Sequence, residues 1–321
     1  IKLAKDLEAA GAHILGVKDM GGLMKPAAAT ILFKALKQEV GIPIHFHTHD
    51  TSGIAAASIL AASESGVDAV DAAMDSMSGL TSQPNLGSIA AALRGSERDT
   101  GLDQRALTVI SDYWEQARRN YSGFEPDLRA GTSSVYQHEM PGGQFTNLRQ
   151  QARSMGIEEK WDDIARTYAQ VNHMFGDIIK VTPTSKVVGD MTLMMVTSGL
   201  SPEDVMNPDR EIGFPESAVQ LFGGQMGQAY GGFPEELQKK ILKGRKPLTK
   251  RPGEVLPPVD LTQARDDAES KVGRKISDQE LASYLMYPDV FVEYAKVLRT
   301  YGNISVLPTP AFFYGMETND E

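Results

Sequence analysis

His45-Phe46-His47-Thr48-His49-Asp50 closes a short apolar run and passes at once into Thr51-Ser52-Gly53-Ile54-Ala55, which reads as the start of a helix. Successive side chains of a strand point to opposite faces, so His45, His47 and His49 fall on one side. Upstream, Gly16-Val17-Lys18-Asp19-Met20 ends a similar run and also precedes a helical stretch. Parallel α/β folds, open or closed, gather their chemistry at the C-terminal ends of strands. Two neutral imidazoles converging there make half of a metal site.

Working outward, Leu3, Leu7 and Ala10 predict a helix closed by Gly11, and residues 13–17 a strand. Residues 26–40 read as a helix, with Pro26 in its first turn and Gly41 beyond its end. Residues 42–46 form the next strand and 52–65 the next helix, stopped by Gly66; a third strand covers 67–73. A Gly/Ser/Asn-rich loop and a helix over 86–93 follow. Short apolar strands with helical crossovers predict a parallel sheet buried on both faces. Three βα units cannot close an eight-stranded barrel. The pattern leaves open an open sheet or the last sector of a barrel begun upstream.

Beyond residue 100 the chain turns mainly helical, with helices predicted over 104–120, 147–155, 161–175, 185–198, 234–243, 261–272, 278–286 and 288–301. Gly/Pro loops separate them, notably Met140-Pro141-Gly142-Gly143-Gln144 and the stretch 251–258, which reads as a linker.

With 321 residues the chain can bury a sizeable core. A formal charge of −10 argues against nucleic acid or an anionic membrane as its main partner. The absence of cysteine excludes disulfides, thiolate zinc sites and thiol nucleophiles, and suits a reducing compartment. No apolar run approaches the ~18 residues of a membrane span. Because the chain opens on Ile1, already inside a helical pattern, it is expected to be an internal piece of a longer protein. Alone it would leave two sheet edges unpaired, so the piece is expected to be inactive and prone to aggregate.

Three groups of residues carry candidate chemistry. His47 and His49 are the expected ligand pair; His45 shares their face but lies deeper, and His13 and His173 are read as structural. Lys18 is open to two readings. As an ammonium it has no acceptor and would anchor a carboxylate or form an ion pair; as a carbamate it would offer a metal two anionic oxygens. Val181-Thr182-Pro183-Thr184-Ser185-Lys186 clusters hydroxyls and an ammonium at a helix start. There Thr182 is either a helix cap or a proton relay.

These motifs resemble the carboxyltransferase region of the pyruvate carboxylase family. The stretches concerned are residues 16–23 (GVKDMGGL), 47–54 (HTHDTSGI), 135–148 (VYQHEMPGGQFTNL), 181–190 (VTPTSKVVGD) and 253–261 (GEVLPPVDL). They run in the family's order along almost the whole chain. The resemblance implies an α/β fold: the last three βα units of a TIM (β/α)8 barrel over residues 1–96, a mainly helical funnel over 97–300, and the start of a following domain over 301–321. It implies a divalent metal, zinc or manganese, on His47, His49 and Lys18 as its carbamate. The remaining aspartate ligand and a substrate-clamping arginine would lie upstream of Ile1. Thr182 matches a residue that shuttles a proton between pyruvate and biotin, and Ser185 and Lys186 match contacts to the biotin ureido oxygen. The implied partners are pyruvate and oxaloacetate, a carrier domain bearing the biotin, and another domain that uses ATP and bicarbonate. The assembly would be a homotetramer, in bacterial cytoplasm or in the mitochondrial matrix of a eukaryote. Rival readings are a biotin-dependent oxaloacetate decarboxylase or transcarboxylase subunit, a biotin-independent aldol- or Claisen-type metal barrel, and a purely structural helical surface.

Overall fold

The computed structural model describes residues 1–125, 128–308 and 311. Three parallel strands, β1 (Leu15–Asp19), β2 (Ile44–Thr48) and β3 (Ala69–Val70), lie side by side in that order. Their register sets Gly16 beside His45, Lys18 beside His47 and Asp19 beside Thr48. The helices α1 (Lys2–Ala9), α2 (Pro26–Glu39), α3 (Ala55–Glu64) and α4 (Leu86–Leu93) alternate with them. Pro26 opens α2, where its missing N–H is no loss, and Ala29, Phe33 and Leu36 form its buried stripe. Phe33 packs on Phe46 of β2 with ring centroids 4.9 Å apart. Each such fully buried side chain contributes about 1.5–3 kcal/mol.

The strands bury one face only. Leu15, Ile44, Phe46 and Thr48 point into the core, whereas Gly16 and Lys18 are exposed and His45 and His47 half-buried. The expectation of a sheet covered on both faces is therefore corrected. The alternation puts a lysine and two imidazoles on one side and aliphatic or aromatic groups on the other, and among the described residues only the apolar side is buried.

After α5 (Gln104–Arg119), capped by Asp103, the chain is helical: α6 (Val135–His138), α7 (Gly142–Ser154), α8 (Trp161–Met174), α9 (Thr184–Ser198), α10 (Pro202–Met206), α11 (Glu216–Phe222) and α12 (Glu235–Leu242). Leu148, Tyr168, Val188, Met191, Met195 and Phe222 are fully buried in its core. Most sides of α9 are buried, and it ends at Gly199 in the left-handed conformation, φ +62°.

The chain divides into two compact units, Ile1–Pro252 and Gly253–Glu321. The break falls within the Gly/Pro stretch read as a linker, where a single turn, α13 (Pro252–Val255), is formed. In the second unit α14 (Leu261–Val272), α15 (Asp278–Met286) and α16 (Pro288–Tyr301) close around Ala268, Ile276, Leu281, Tyr284 and Phe291. The domain start expected over 301–321 lies largely outside the described residues.

Several boundaries differ from the sequence expectation. β1 and β2 each begin and end two residues later than predicted, because pairing starts where Leu15 N donates to the Pro43 carbonyl. The third strand, expected over 67–73, keeps only Ala69–Val70, with an isolated bridge from Ala73 to Asn85. α7 begins at Gly142 rather than 147, since Pro141 sets the turn and the Gly142-Gly143 pair enters the helix despite its low propensity.

Candidate active site

β2 ends at Thr48, so His49 stands one residue past the strand, yet its ring meets that of His47 edge-on. His47 Nδ1 lies 2.7 Å from Asp71 Oδ2, and His49 Nδ1 lies 2.7 Å from the Thr81 carbonyl oxygen. Both Nδ1 atoms face acceptors and so carry the protons, which leaves lone pairs on the two Nε2 atoms. These nitrogens face each other 3.2 Å apart. Two lone pairs so close repel unless a proton or a cation lies between them. Nitrogens bound to one tetrahedral metal at about 2.0–2.1 Å stand about 3.3 Å apart. The donor pair therefore fits a divalent ion.

Asp71, which sequence reading passed over, holds both strand histidines: Oδ1 is 2.8 Å from His45 Nε2 and Oδ2 binds His47. Burial pushes its carboxyl up, but the hydrogen bonds from His47 and His45 outweigh this and hold it below the ordinary value. His49 is pushed down mainly by burial, against the Thr81 carbonyl and with help from His47; the charges of Asp19 and Lys18 also reach it. Lys18 is thus beside the imidazole pair, on the same face as His47. Among the described residues no group of three or more His, Cys, Asp or Glu side chains could hold a metal ion.

Asp19 does different work. Its carboxylate accepts from Leu23 N, Met24 N and Thr48 Oγ1 at 2.8–2.9 Å, which folds the loop after β1 and ties it to β2. That loop approaches so closely that a Cβ on Gly22, φ +67°, would lie 2.2 Å from the His49 carbonyl oxygen.

A second cluster lines a cavity of 540 Å³ whose walls include Met20, Pro141, Gly143, Gln144, Gln151, Thr182, Ser185 and Lys186. Thr182 is exposed to it and does not cap α9. The N-cap position is Pro183, without a side-chain bond, and Thr184 Oγ1 pins the turn by accepting from Val181 N at 3.0 Å. Ser185 is buried in the first turn of α9, its carbonyl 3.3 Å from the Tyr168 hydroxyl that donates to it. Lys186 pairs with Asp190 at 2.7 Å, and Ser217 donates to the same carboxylate at 2.6 Å. The ammonium still has donors to spare.

Two further residues of this cavity escaped the sequence reading. Gln144 is 8% exposed, and its amide packs where a Cβ on Gly189 would come within 2.4 Å. Gln151 Oε1 is buried with no hydrogen-bond partner among the described residues. Their spacing of seven residues puts both on one face of α7, a pattern hidden because the sequence reading began that helix at 147 and left Gln144 in a loop. His13 is exposed, and His173, also exposed, pairs with Asp177 at 3.2 Å.

A barrel-type α/β domain of the HMGL-like kind, with a helical part, is the class these features define: the HMGL-like family model matches residues 1–113. The model described as a conserved carboxylase domain matches residues 135–321, and the chain belongs to that family. Its sequence is 49% identical to pyruvate carboxylase of Bacillus subtilis over 319 residues, covering 99% of this chain and 28% of that protein. Against the Schizosaccharomyces pombe pyruvate carboxylase the identity is 46%, covering 100% of this chain and 27% of the relative. The carboxyl transferase domain of Rhizobium etli pyruvate carboxylase, solved with pyruvate and biocytin, superimposes with TM-score 0.90 at 62% identity, over 98% of this chain and 53% of that one. The resemblance drawn from the motifs thus holds, while the chain spans little more than a quarter of the curated relatives' length. Among the described residues no helix is long and apolar enough to cross a membrane.

Proposed function

We propose that this chain carries the carboxyltransferase half-reaction of pyruvate carboxylase, in which a carboxyl group passes from biotin to pyruvate and oxaloacetate results. The observation that carries this reading is the cavity that joins Met20, two residues beyond Lys18, to Thr182, Ser185 and Lys186. The three βα units would be the last of an eight-stranded barrel. The polar face of Gly16, Lys18, His45 and His47 would then turn inward, the helices from residue 97 to 300 would cover the site, and residues 301–321 would begin the next domain.

His47, His49 and Lys18 as its carbamate would hold a zinc or manganese ion, which when bound supplies positive charge against a developing enolate. An aspartate and an arginine from upstream would complete the metal site and clamp the pyruvate carboxylate. Thr182 takes a proton from the pyruvate methyl group as it gives its own to the ureido nitrogen of biotin, so a hydroxyl of ordinary acidity suffices. Ser185 and Lys186 direct a hydroxyl and an ammonium at the ureido oxygen, where negative charge gathers. Biotin would arrive on a carrier domain and be carboxylated by another domain with ATP and bicarbonate. The parent enzyme would be a homotetramer of the bacterial cytoplasm or the mitochondrial matrix.

The test is Thr182→Ala in the parent enzyme. It is expected to abolish oxaloacetate formation while ATP-dependent carboxylation of biotin and metal content persist, and Thr182→Ser should retain part of the rate. Full pyruvate carboxylation in Thr182→Ala would overturn the reading.

A further inference from the structure

Lys180, two residues before Thr182, is a nearly buried cation to which the reaction above gives no part. Its side chain is 12% exposed, and Nζ donates to Glu139 Oε2 at 2.9 Å. With the Asn172 amide turned so that its nitrogen donates to the Ile178 carbonyl, its oxygen accepts from the same ammonium at 3.2 Å. His138, beside Glu139 in sequence and 2% exposed, accepts from Met140 N at 3.0 Å through Nδ1. Burial first, and the Lys180 charge next, push this imidazole down to about 4, so it is neutral near pH 7 and leaves the charge of Lys180 to Glu139.

The two partners belong to segments that both reach the cavity. Glu139 leads directly into Met140-Pro141-Gly142-Gly143, of which Pro141 and Gly143 line it. Gly142 N donates to the Met20 carbonyl at 2.9 Å, and a Cβ on Gly142 would meet the His49 ring. Lys180 leads through Val181 to Thr182. Glu139 itself stands at φ +53°, ψ +30°, a left-handed position that would suit glycine, so what glutamate adds there is its carboxylate.

We propose that the Glu139–Lys180 pair is a positioning clamp, setting the Thr182 hydroxyl against the Met20, Pro141 and Gly143 wall of the cavity during proton transfer. The inference rests on the carboxyltransferase reading. It makes Glu139 and Lys180 positioning residues rather than groups that touch substrate. A relay hydroxyl displaced by about 1 Å can lose about 10²-fold in rate, while substrate held elsewhere binds as before.

The experiment compares Glu139→Gln, Glu139→Gly and Thr182→Ala in the full-length parent enzyme. Both Glu139 variants are expected to lower kcat for pyruvate carboxylation by roughly 10-fold or more. KM for pyruvate should stay within about two-fold, as expected when only transition-state alignment is lost. The isotope effect with methyl-deuterated pyruvate should rise, because proton removal becomes slower relative to the other steps. Glu139→Gly relaxes the left-handed backbone while removing the carboxylate, so it separates the ion pair from folding. Wild-type kcat and isotope effect in Glu139→Gly, beside an inactive Thr182→Ala, would overturn the clamp alone. Full activity of Thr182→Ala would instead overturn the reading on which it rests.

Discussion

Gly142 opens α7 with its Cα against the imidazole of His49. A Cβ added there would lie 2.9 Å from His49 Nδ1 and 2.9 Å from the Thr81 carbonyl oxygen. Those two atoms are the partners of one hydrogen bond, 2.7 Å long, which sets the tautomer and the ring angle of His49. Non-bonded heavy atoms settle at about 3.5–4.0 Å, so Gly142→Ala must drive the ring or the carbonyl away by roughly half an ångström. Overpacking of this kind costs about 1–3 kcal/mol, and the strained or broken hydrogen bond about 1 kcal/mol more. Losing a group that orients a metal-binding histidine typically costs about 10–100-fold in metal affinity. In the parent enzyme, chelator competition with the metal counted by mass spectrometry reads the second effect, and urea unfolding reads the first. Gly143→Ala is the control: its methyl would meet nothing among the described residues within 4 Å, so metal affinity should stay at wild type and stability should hold or rise by up to about 1 kcal/mol, as for any unstrained helical glycine. Wild-type metal affinity in Gly142→Ala would mean that the Thr81 bond orients no ligand, and the metal reading of the imidazole pair would fall.

Asp71→Asn removes the negative charge and leaves one acceptor where the carboxylate gave two, so the support of His47 Nδ1 weakens; a fall of about 10-fold or more in metal affinity is expected by the same competition. Gly189→Ala should separate fold from function. A mid-helix methyl favours α9 by up to about 1 kcal/mol, yet it displaces the Gln144 amide, so turnover should drop while the unfolding midpoint holds. Unchanged turnover would make Gln144 a bystander. In the second unit, Arg274 first and the Ser277 N–H next hold the Glu280 carboxyl down to about 2 from an ordinary 4.5. A carboxyl lowered on folding stabilises above its unfolded pKa and loses that effect as pH falls through the folded one. Hydrogen exchange in the first turn of α15 should therefore be faster in Glu280→Gln near neutral pH, by an amount worth about 0.2–1 kcal/mol for so exposed a pair. The gap should close as pH falls from 4.5 to about 2, and a pH-independent gap would refute the attribution.

The helices with long periodic patterns were legible almost to the residue: α2, α4, α14, α15 and α16 begin where the sequence places them. Capping chemistry explains much of this, as with Asn85 before α4, Asp260 before α14 and the Ser277–Glu280 box of α15. The two-residue error in β1 and β2 did no harm to the site. Side chains in a strand repeat every two residues, so a shift of two leaves His45 and His47 on the face assigned to them, where a shift of one would have turned them into the core.

Strand alternation could not place His49, because the strand stops at Thr48 and the backbone beyond it follows no period. Its ring is set by a carbonyl 32 residues away and by the missing side chain of Gly142, neither of which leaves a local pattern. Asp71 joins His47 across 24 residues, and Glu139 joins Lys180 across 41. Asp71 and Lys180 are ordinary charged residues with no periodic or capping role, so only the folded chain distinguishes them. Gln144 and Gly189 share that invisibility: a glycine inside a helix reads as a weakness until the amide that needs its space is seen beside it. Composition and period thus specify the frame, whereas the orientation of the reacting groups depends on single contacts between distant segments. Those contacts are where small substitutions such as Gly142→Ala should change chemistry with the least change to the fold.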